Sequence, residues 1–270
     1  MAKNKLQKFA AMAEYSNVIQ PKIFRKPKDF DGQFPASYPL TETFSLKGNW
    51  NRDFFHNGND IVIELGCGKG EYTVELASKY PDKNFIGVDI KGARMYTGAS
   101  LAIEQGLGNV AFLRTRIELI SLFFSENEVS EIWITFPDPQ MKKRNKRLTS
   151  TNFLSQYSHF LKSDGIIHLK TDSLFMYTYT KEVATENKLP IVFDTDDLYN
   201  KPVDDQTISK SLTEIQTYYE RQWISRGKSI KYLCFKTNKE TSLVEPDVEI
   251  EFDDYRSFGR QKRSELNLGK

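Results

Sequence analysis

The 270-residue chain is poor in cysteine and histidine: it holds Cys67 and Cys234, and His56, His159 and His168. Two thiols argue against a disulfide framework and fit a reduced, cytoplasmic protein. The histidines are too scattered to form a metal cluster, so no metal is expected. No run of about 18 apolar residues occurs, which excludes a membrane-spanning helix, and the mean hydropathy of −0.54 suits a soluble chain. The N-terminus, Met1-Ala2-Lys3-Asn4-Lys5-Leu6, lacks the apolar core and small-residue cleavage site of a secretory signal. A strong excess of one charge is missing as well: 38 Lys and Arg stand against 36 Asp and Glu.

The charge that is present is unevenly placed. Lys3, Lys5, Lys8, Lys22, Arg25, Lys26 and Lys28 crowd the first thirty residues, and Lys142-Lys143-Arg144-Asn145-Lys146-Arg147 is almost wholly cationic. Near the C-terminus Glu245, Asp247, Glu249, Glu251, Asp253 and Asp254 form an acidic block. Basic patches on a nearly neutral protein fit either a localised anionic partner or solvated loops.

From Asn59 onward, short apolar runs alternate with amphipathic segments. Strands are expected at Ile61–Leu65, Asn84–Val88, Val110–Leu113, Glu131–Phe136, Ile166–Lys170, Pro190–Asp194 and Ile230–Phe235. Helices are expected from Tyr72 to before Pro81, Met95–Glu104, Leu119–Phe124, Thr149–Leu161, Asp172–Asn187 and Thr213–Ser225, with a turn at Ser163-Asp164-Gly165. This alternation implies a seven-stranded, mostly parallel sheet with helices on both faces, which binds ligands beyond the carboxyl ends of its strands.

The first strand runs into Gly66-Cys67-Gly68-Lys69-Gly70, a G-x-G-x-G turn that lets backbone approach a ligand closely. It is not the dinucleotide G-x-G-x-x-G, since Glu71 holds the last position. Asp89 ends the second strand about twenty residues on, where a carboxylate can accept ribose hydroxyls. That placement is shared by NAD enzymes. Glu64 separates the two cofactors: an acid there suits the ammonium and sulfonium of S-adenosylmethionine (SAM) and repels a pyrophosphate. A carboxylate that caps nearby backbone N–H groups is the structural alternative. Arg116 and Ile117 follow the third strand, either flanking an adenine ring or merely opening a helix.

Phe136-Pro137-Asp138-Pro139 follows the fourth strand, where two prolines aim one carboxylate; an ordinary Asp-Pro turn is the alternative. The cationic run that follows would hold a phosphate backbone beside the methyl donor. Phe136-Pro137-Asp138-Pro139-Gln140-Met141-Lys142-Lys143-Arg144 with Lys146-Arg147-Leu148-Thr149, Glu64-Leu65-Gly66-Cys67-Gly68-Lys69-Gly70, His168-Leu169-Lys170-Thr171-Asp172, and Thr217-Tyr218-Tyr219-Glu220 followed by Gly227 and Tyr232 together resemble the bacterial tRNA (guanine-N7)-methyltransferase family. The resemblance spans roughly residues 55–236 and implies a Rossmann-like class I SAM-dependent methyltransferase acting on N7 of a guanine in the tRNA variable loop. It further implies that Glu64, Asp89, Arg116 and Asp138, with Gly66 of the loop, contact SAM and that Asp138 is the catalytic acid residue. Lys142, Asp172, Thr217, Tyr218, Tyr219 and Glu220 would contact the substrate. Two positions depart from the family pattern: Gln140 stands where a Trp is usual, and Arg116 where an acid or Asn is common. Thr217 to Glu220 also reads as a capping box.

The organisation expected is a basic N-terminal arm over 1–55, a methyltransferase domain over 56–237 and an acidic, flexible C-terminal tail over 238–270. The chain would be a monomer or homodimer, with tRNA as partner and neither a membrane nor an obligate protein partner. Three other classes compete: a SAM enzyme for a protein amide or small molecule, a non-catalytic RNA-binding module, and an NAD-dependent oxidoreductase.

Overall fold

The computed structural model describes residues 2–22, 44–201, 212–239 and 242–253. Strands are numbered β1 (Val18–Ile19), β2 (Asp60–Leu65), β3 (Lys83–Asp89), β4 (Val110–Arg114), β5 (Val129–Thr135), β6 (Leu161–Thr171), β7 (Ile191–Thr195) and β8 (Lys231–Lys236). Helices are α1 (Ala2–Ala13), α2 (Glu71–Lys79), α3 (Gly92–Glu104), α4 (Thr151–Ser158), α5 (Leu174–Glu186) and α6 (Tyr218–Ile224). No helix among the described residues is long and apolar enough to cross a membrane.

The strands form one sheet in the order β1-β4-β3-β2-β5-β6-β8-β7. β8 runs antiparallel to both of its neighbours, and every other pair is parallel. Chain order reverses between β2 and β5, which makes their carboxyl ends the topological switch point where such sheets bind ligands. Side chains alternate between two buried layers. Ile61, Ile63, Ile132, Ile134, Ile167 and Leu169 face one core with Phe153 and Met176, whereas Val62, Phe85, Phe112, Trp133 and Tyr232 face the other with Tyr72 and Met95. Burial on both faces explains why the strands read as continuous apolar runs.

All seven expected strands are present, and the sheet has an eighth. Val18 and Ile19 pair with Phe112 and Leu113 at the edge, so the N-terminal arm extends the sheet. Two residues carry no periodic pattern, and here the local sequence is silent. Trp50, within a π-helical turn at Trp50–Phe55, is wholly buried and donates from Nε1 to the Phe123 carbonyl at 2.9 Å. The arm's Arg25, Lys26 and Lys28 lie outside the described residues.

Several expected boundaries shift, and the helix expected at Leu119–Phe124 is a 3-10 helix at Ile117–Leu122. Ser163-Asp164-Gly165 does not end an element; it forms an irregularity inside β6, where the pairing steps from Val129↔Leu161 to Glu131↔Ile166 and loops out the turn-forming residues. The helix expected at Thr149–Leu161 therefore stops at Ser158. The helix expected from Thr213 is interrupted at residues 215–217 and resumes as α6 from Tyr218 behind an N-cap at Thr217. Residues 242–253, part of the stretch read as an acidic, flexible tail, pack on the body: Glu245 accepts from Thr151 N–H (3.0 Å), Thr151 Oγ1 (2.7 Å) and Tyr179 Oη (2.8 Å), while residues 254–270 lie outside the described residues.

Candidate functional site

β2 delivers the glycine loop to the switch point. Gly66, Gly68 and Gly70 adopt φ of +80°, +57° and +72°, in the left-handed region that suits glycine. The three differ in purpose. A Cβ on Gly70 would lie 2.5 Å from the Phe112 ring, so this glycine allows the loop to pack tightly on the sheet. A Cβ on Gly66 would meet nothing within 4 Å, so there the backbone borders open space. Asp89 locks the loop: its Oδ2 accepts from Gly68 N–H at 3.0 Å and its Oδ1 from Lys91 N–H at 2.7 Å.

Glu64 lies beneath this loop, only 4% exposed. Its carboxylate accepts from Thr73 N–H (3.0 Å), Thr73 Oγ1 (2.5 Å) and Thr135 Oγ1 (2.6 Å). Burial raises its pKa from 4.5 to about 7, against the lowering effect of the Thr135 and Thr73 hydrogen bonds and with a further push from the Asp89 charge. The structural reading of Glu64 as an acceptor for backbone N–H and its place in the site are thus compatible, since it also lines the cavity above the loop.

That cavity has a volume of about 450 Å³ and brings together Glu64, Gly66, Asp89, Asp138, Thr217 and Tyr219. An adjoining cavity of about 440 Å³ has Ile90, Arg116, Ile117 and Gln140 in its walls and shares Asp89, Asp138 and Leu148 with the first. Asp138 therefore stands at the junction. Its loop is held unusually: Phe136 and Gln140, on either side, have φ of +48° and +47°. Such left-handed conformations of non-glycine residues cost about 1 kcal/mol or more each and persist only where the surroundings enforce them. Phe136 N–H donates to the Lys170 carbonyl at 2.7 Å, and Gln140 N–H to Asp138 Oδ1 at 3.0 Å.

The cationic run has divided duties. Arg147 is buried, stacks on Tyr179 and Phe175 at 4.2 and 4.6 Å from the ring centroids, and donates to the Met141 carbonyl at 2.8 Å. Lys146 pairs with Glu118 at 2.7 Å. Lys142 and Lys143 are exposed; Lys143 borders the cavity of Arg116, while Lys142 borders neither.

The remaining expected site residues separate. Asp172 lies in a third cavity, of about 530 Å³, with Gly227, Lys228, Lys231 and Asp253; Trp223 belongs to this cavity and to that of Glu64. Asp172 Oδ1 is buried without a hydrogen-bond partner, and burial, aided by the charge of Asp253, raises its carboxyl to about 6. Tyr218 is 45% exposed and carries Lys69 Nζ 4.6 Å from its ring centroid. Glu220 is completely buried and forms the reciprocal capping box with Thr217, besides an ion pair with Lys170 at 2.6 Å. Trp223 was not singled out in the sequence, yet it lies four residues after Tyr219 on α6, a spacing that puts both on one helix face.

Comparison with known proteins agrees with this architecture. Residues 58–233 match the family model described as "Putative methyltransferase". The tRNA (guanine-N(7)-)-methyltransferase of Bacteroides fragilis is 55% identical over 270 residues, covering 100% of both chains. The protein of that name from Porphyromonas gingivalis is 53% identical, over 88% of this chain and 97% of its own. Among solved structures, an antibiotic-related methyltransferase superposes with a TM-score of 0.52 at 16% identity, over 73% of this chain and 96% of its own. The 16S rRNA methyltransferase KamB gives 0.52 at 14%, over 69% and 92%. These structures share the Rossmann-like methyltransferase fold. With relatives of this identity over its whole length, the chain belongs to the tRNA (guanine-N(7)-)-methyltransferase family.

Proposed function

We propose that the protein transfers a methyl group from SAM to N7 of a guanine in the variable loop of tRNA, in the cytoplasm. The observation that carries this reading is the position of Asp138, which walls both cavities at the switch point between two left-handed residues, across from Glu64 and Asp89.

The residues present fit SAM. Glu64 offers a buried carboxylate for an ammonium, Gly66 leaves open space against the backbone, Asp89 offers an acceptor for ribose hydroxyls, and Ile90 and Ile117 offer apolar walls for an adenine. When bound, SAM supplies an electrophilic methyl on a cationic sulfur. Guanine N7 already carries a free lone pair, so no side chain has to remove a proton before attack. The contribution of the protein is alignment and electrostatics. Asp138 would hold the purine and offset the positive charge that grows on it. Lys142 and Lys143 would bind backbone phosphates, which set register without reading sequence. Thr217 and Tyr219 provide hydroxyls at the lip of the cavity, and Asp172 would meet a more distant edge of the substrate.

The test is methylation of unmodified tRNA with labelled SAM, followed by chain cleavage at N7-methylguanine. A single cleavage site in the variable loop is expected, and Asp138→Ala should keep the fold while losing on the order of 100-fold in rate. Methyl transfer to a position other than a purine N7 would overturn the assignment.

A further inference from the structure

We infer that Lys170 is a positioning residue, which sets the acceptor side of the site from behind without touching either reactant. The inference rests on the methyl-transfer reading above. Lys170 lies on β6 with its side chain completely buried. An ammonium has three protons to donate, and this one has three acceptors: the carbonyls of Leu212 at 2.5 Å and Ile215 at 3.1 Å, and Glu220 Oε1 at 2.6 Å. These acceptors bracket the segment that brings Thr217 and Tyr219 to the cavity.

Glu220 completes the clamp. Its Oε1 also accepts from Tyr199 Oη at 2.8 Å, and its Oε2 from Thr217 N–H at 3.4 Å. The main chain of Lys170 acts on the other wall, since its carbonyl accepts the Phe136 N–H at 2.7 Å. That bond holds the first left-handed residue of the loop that presents Asp138. One residue thus ties the Asp138 loop through its backbone and the Thr217–Tyr219 lip through its side chain.

A buried ion pair is a poor source of stability, because desolvation of both charges offsets their attraction, and an apolar pair of equal volume often folds as well. Its advantage lies in direction: carbonyls and a carboxylate at fixed positions around one ammonium define a single placement for the segment, which apolar contacts would leave loose. Burial lowers the pKa of Lys170, with Glu220 opposing that shift.

The test compares the parent enzyme with Lys170→Met and with the double variant Lys170→Met/Glu220→Gln, which leaves no unpaired buried charge if the single variant fails to fold. In the double variant kcat is expected to fall 10- to 100-fold, the range that goes with a displacement of about 1 Å. KM for tRNA should stay within about threefold, because Lys142 and Lys143 still meet the phosphates. Amide hydrogen exchange should accelerate at residues 212–224 and stay unchanged in β2 and β5. Unchanged kcat would overturn the inference, as would unchanged exchange at residues 212–224 or a uniform loss of protection across the sheet. If the parent transfers no methyl group to tRNA, the functional reading fails by itself, and the exchange pattern still decides the role of Lys170.

Discussion

Glu64 is surrounded by three hydrogen-bond donors and little water, and its proton affinity follows from that position. Its carboxyl titrates at about 7 in the folded chain against an ordinary 4.5, so the folded state binds this proton more tightly than the unfolded one. The contribution to stability is therefore fully present below pH 4.5 and is lost as pH rises through about 7. A bound ammonium reverses the preference, since it favours the carboxylate. SAM should accordingly raise the melting temperature more at pH 8 than at pH 6, and Glu64→Gln should remove that difference. Equal shifts at both pH values in the parent would show that Glu64 does not meet the ammonium. Glu131 runs the other way: burial opposes its ionisation, but His168 and Lys83 beside it overrule burial and bring the carboxyl to about 2. Its stabilising contribution is present above pH 4.5 and is lost as pH falls toward 2.

At the scale of the elements, the loop between β5 and α4 turns one of its own cations inward. Arg147 is stacked on Tyr179 and Phe175 of α5 and ties back to the Met141 carbonyl, which fixes the stretch that exposes Lys142 and Lys143. Arg147→Ala should cost about 1–3 kcal/mol and weaken tRNA binding, as followed by thermal melting and filter binding. Lys146→Ala removes an exposed pair at the rim of the Arg116 cavity and should change stability by less than about 1 kcal/mol. Equal effects of the two substitutions would refute the inward-anchor view. Sequence presented both residues as members of one basic run, because composition cannot separate a cation stacked on aromatic rings from one facing water. The Thr217–Glu220 segment illustrates the same limit. A capping box and a substrate-binding lip use the same residue types, and the ion pair of Glu220 with Lys170 becomes visible only when β6 and α6 are brought together.

Over the whole molecule, the described parts of the two terminal segments belong to the body more than their composition implies. Glu245 and Asp253 peg the C-terminal segment to α4 and α5: Asp253 accepts from Ser173 Oγ at 2.5 Å and from Phe175 N–H at 3.2 Å, while Phe252 packs edge-on against Phe175. Removal of residues 242–270 should lower the melting temperature by several degrees, at roughly 2–4 °C per kcal/mol for a chain of this size. An unchanged melting temperature would mean that these contacts add nothing. At the other end, β1 lengthens the sheet and Trp50 fills its core.

The sequence by itself determined the seven main strands, the glycine loop with its two acids and the Asp138 loop, because each is written locally in apolar periodicity, glycine spacing or proline placement. Family identity was legible too, since several separated motifs occur in order. Tertiary structure alone decided which charged residues line the cavities and which are paired in the interior. Asp89 and Asp138 line the same two adjoining cavities, Asp172 lines another that shares Trp223 with the first, and Lys170 and Glu220 form an ion pair in the interior. The physical reason is that a charge takes its role from burial and partners, and those are set by strand order across the switch point rather than by neighbours along the chain.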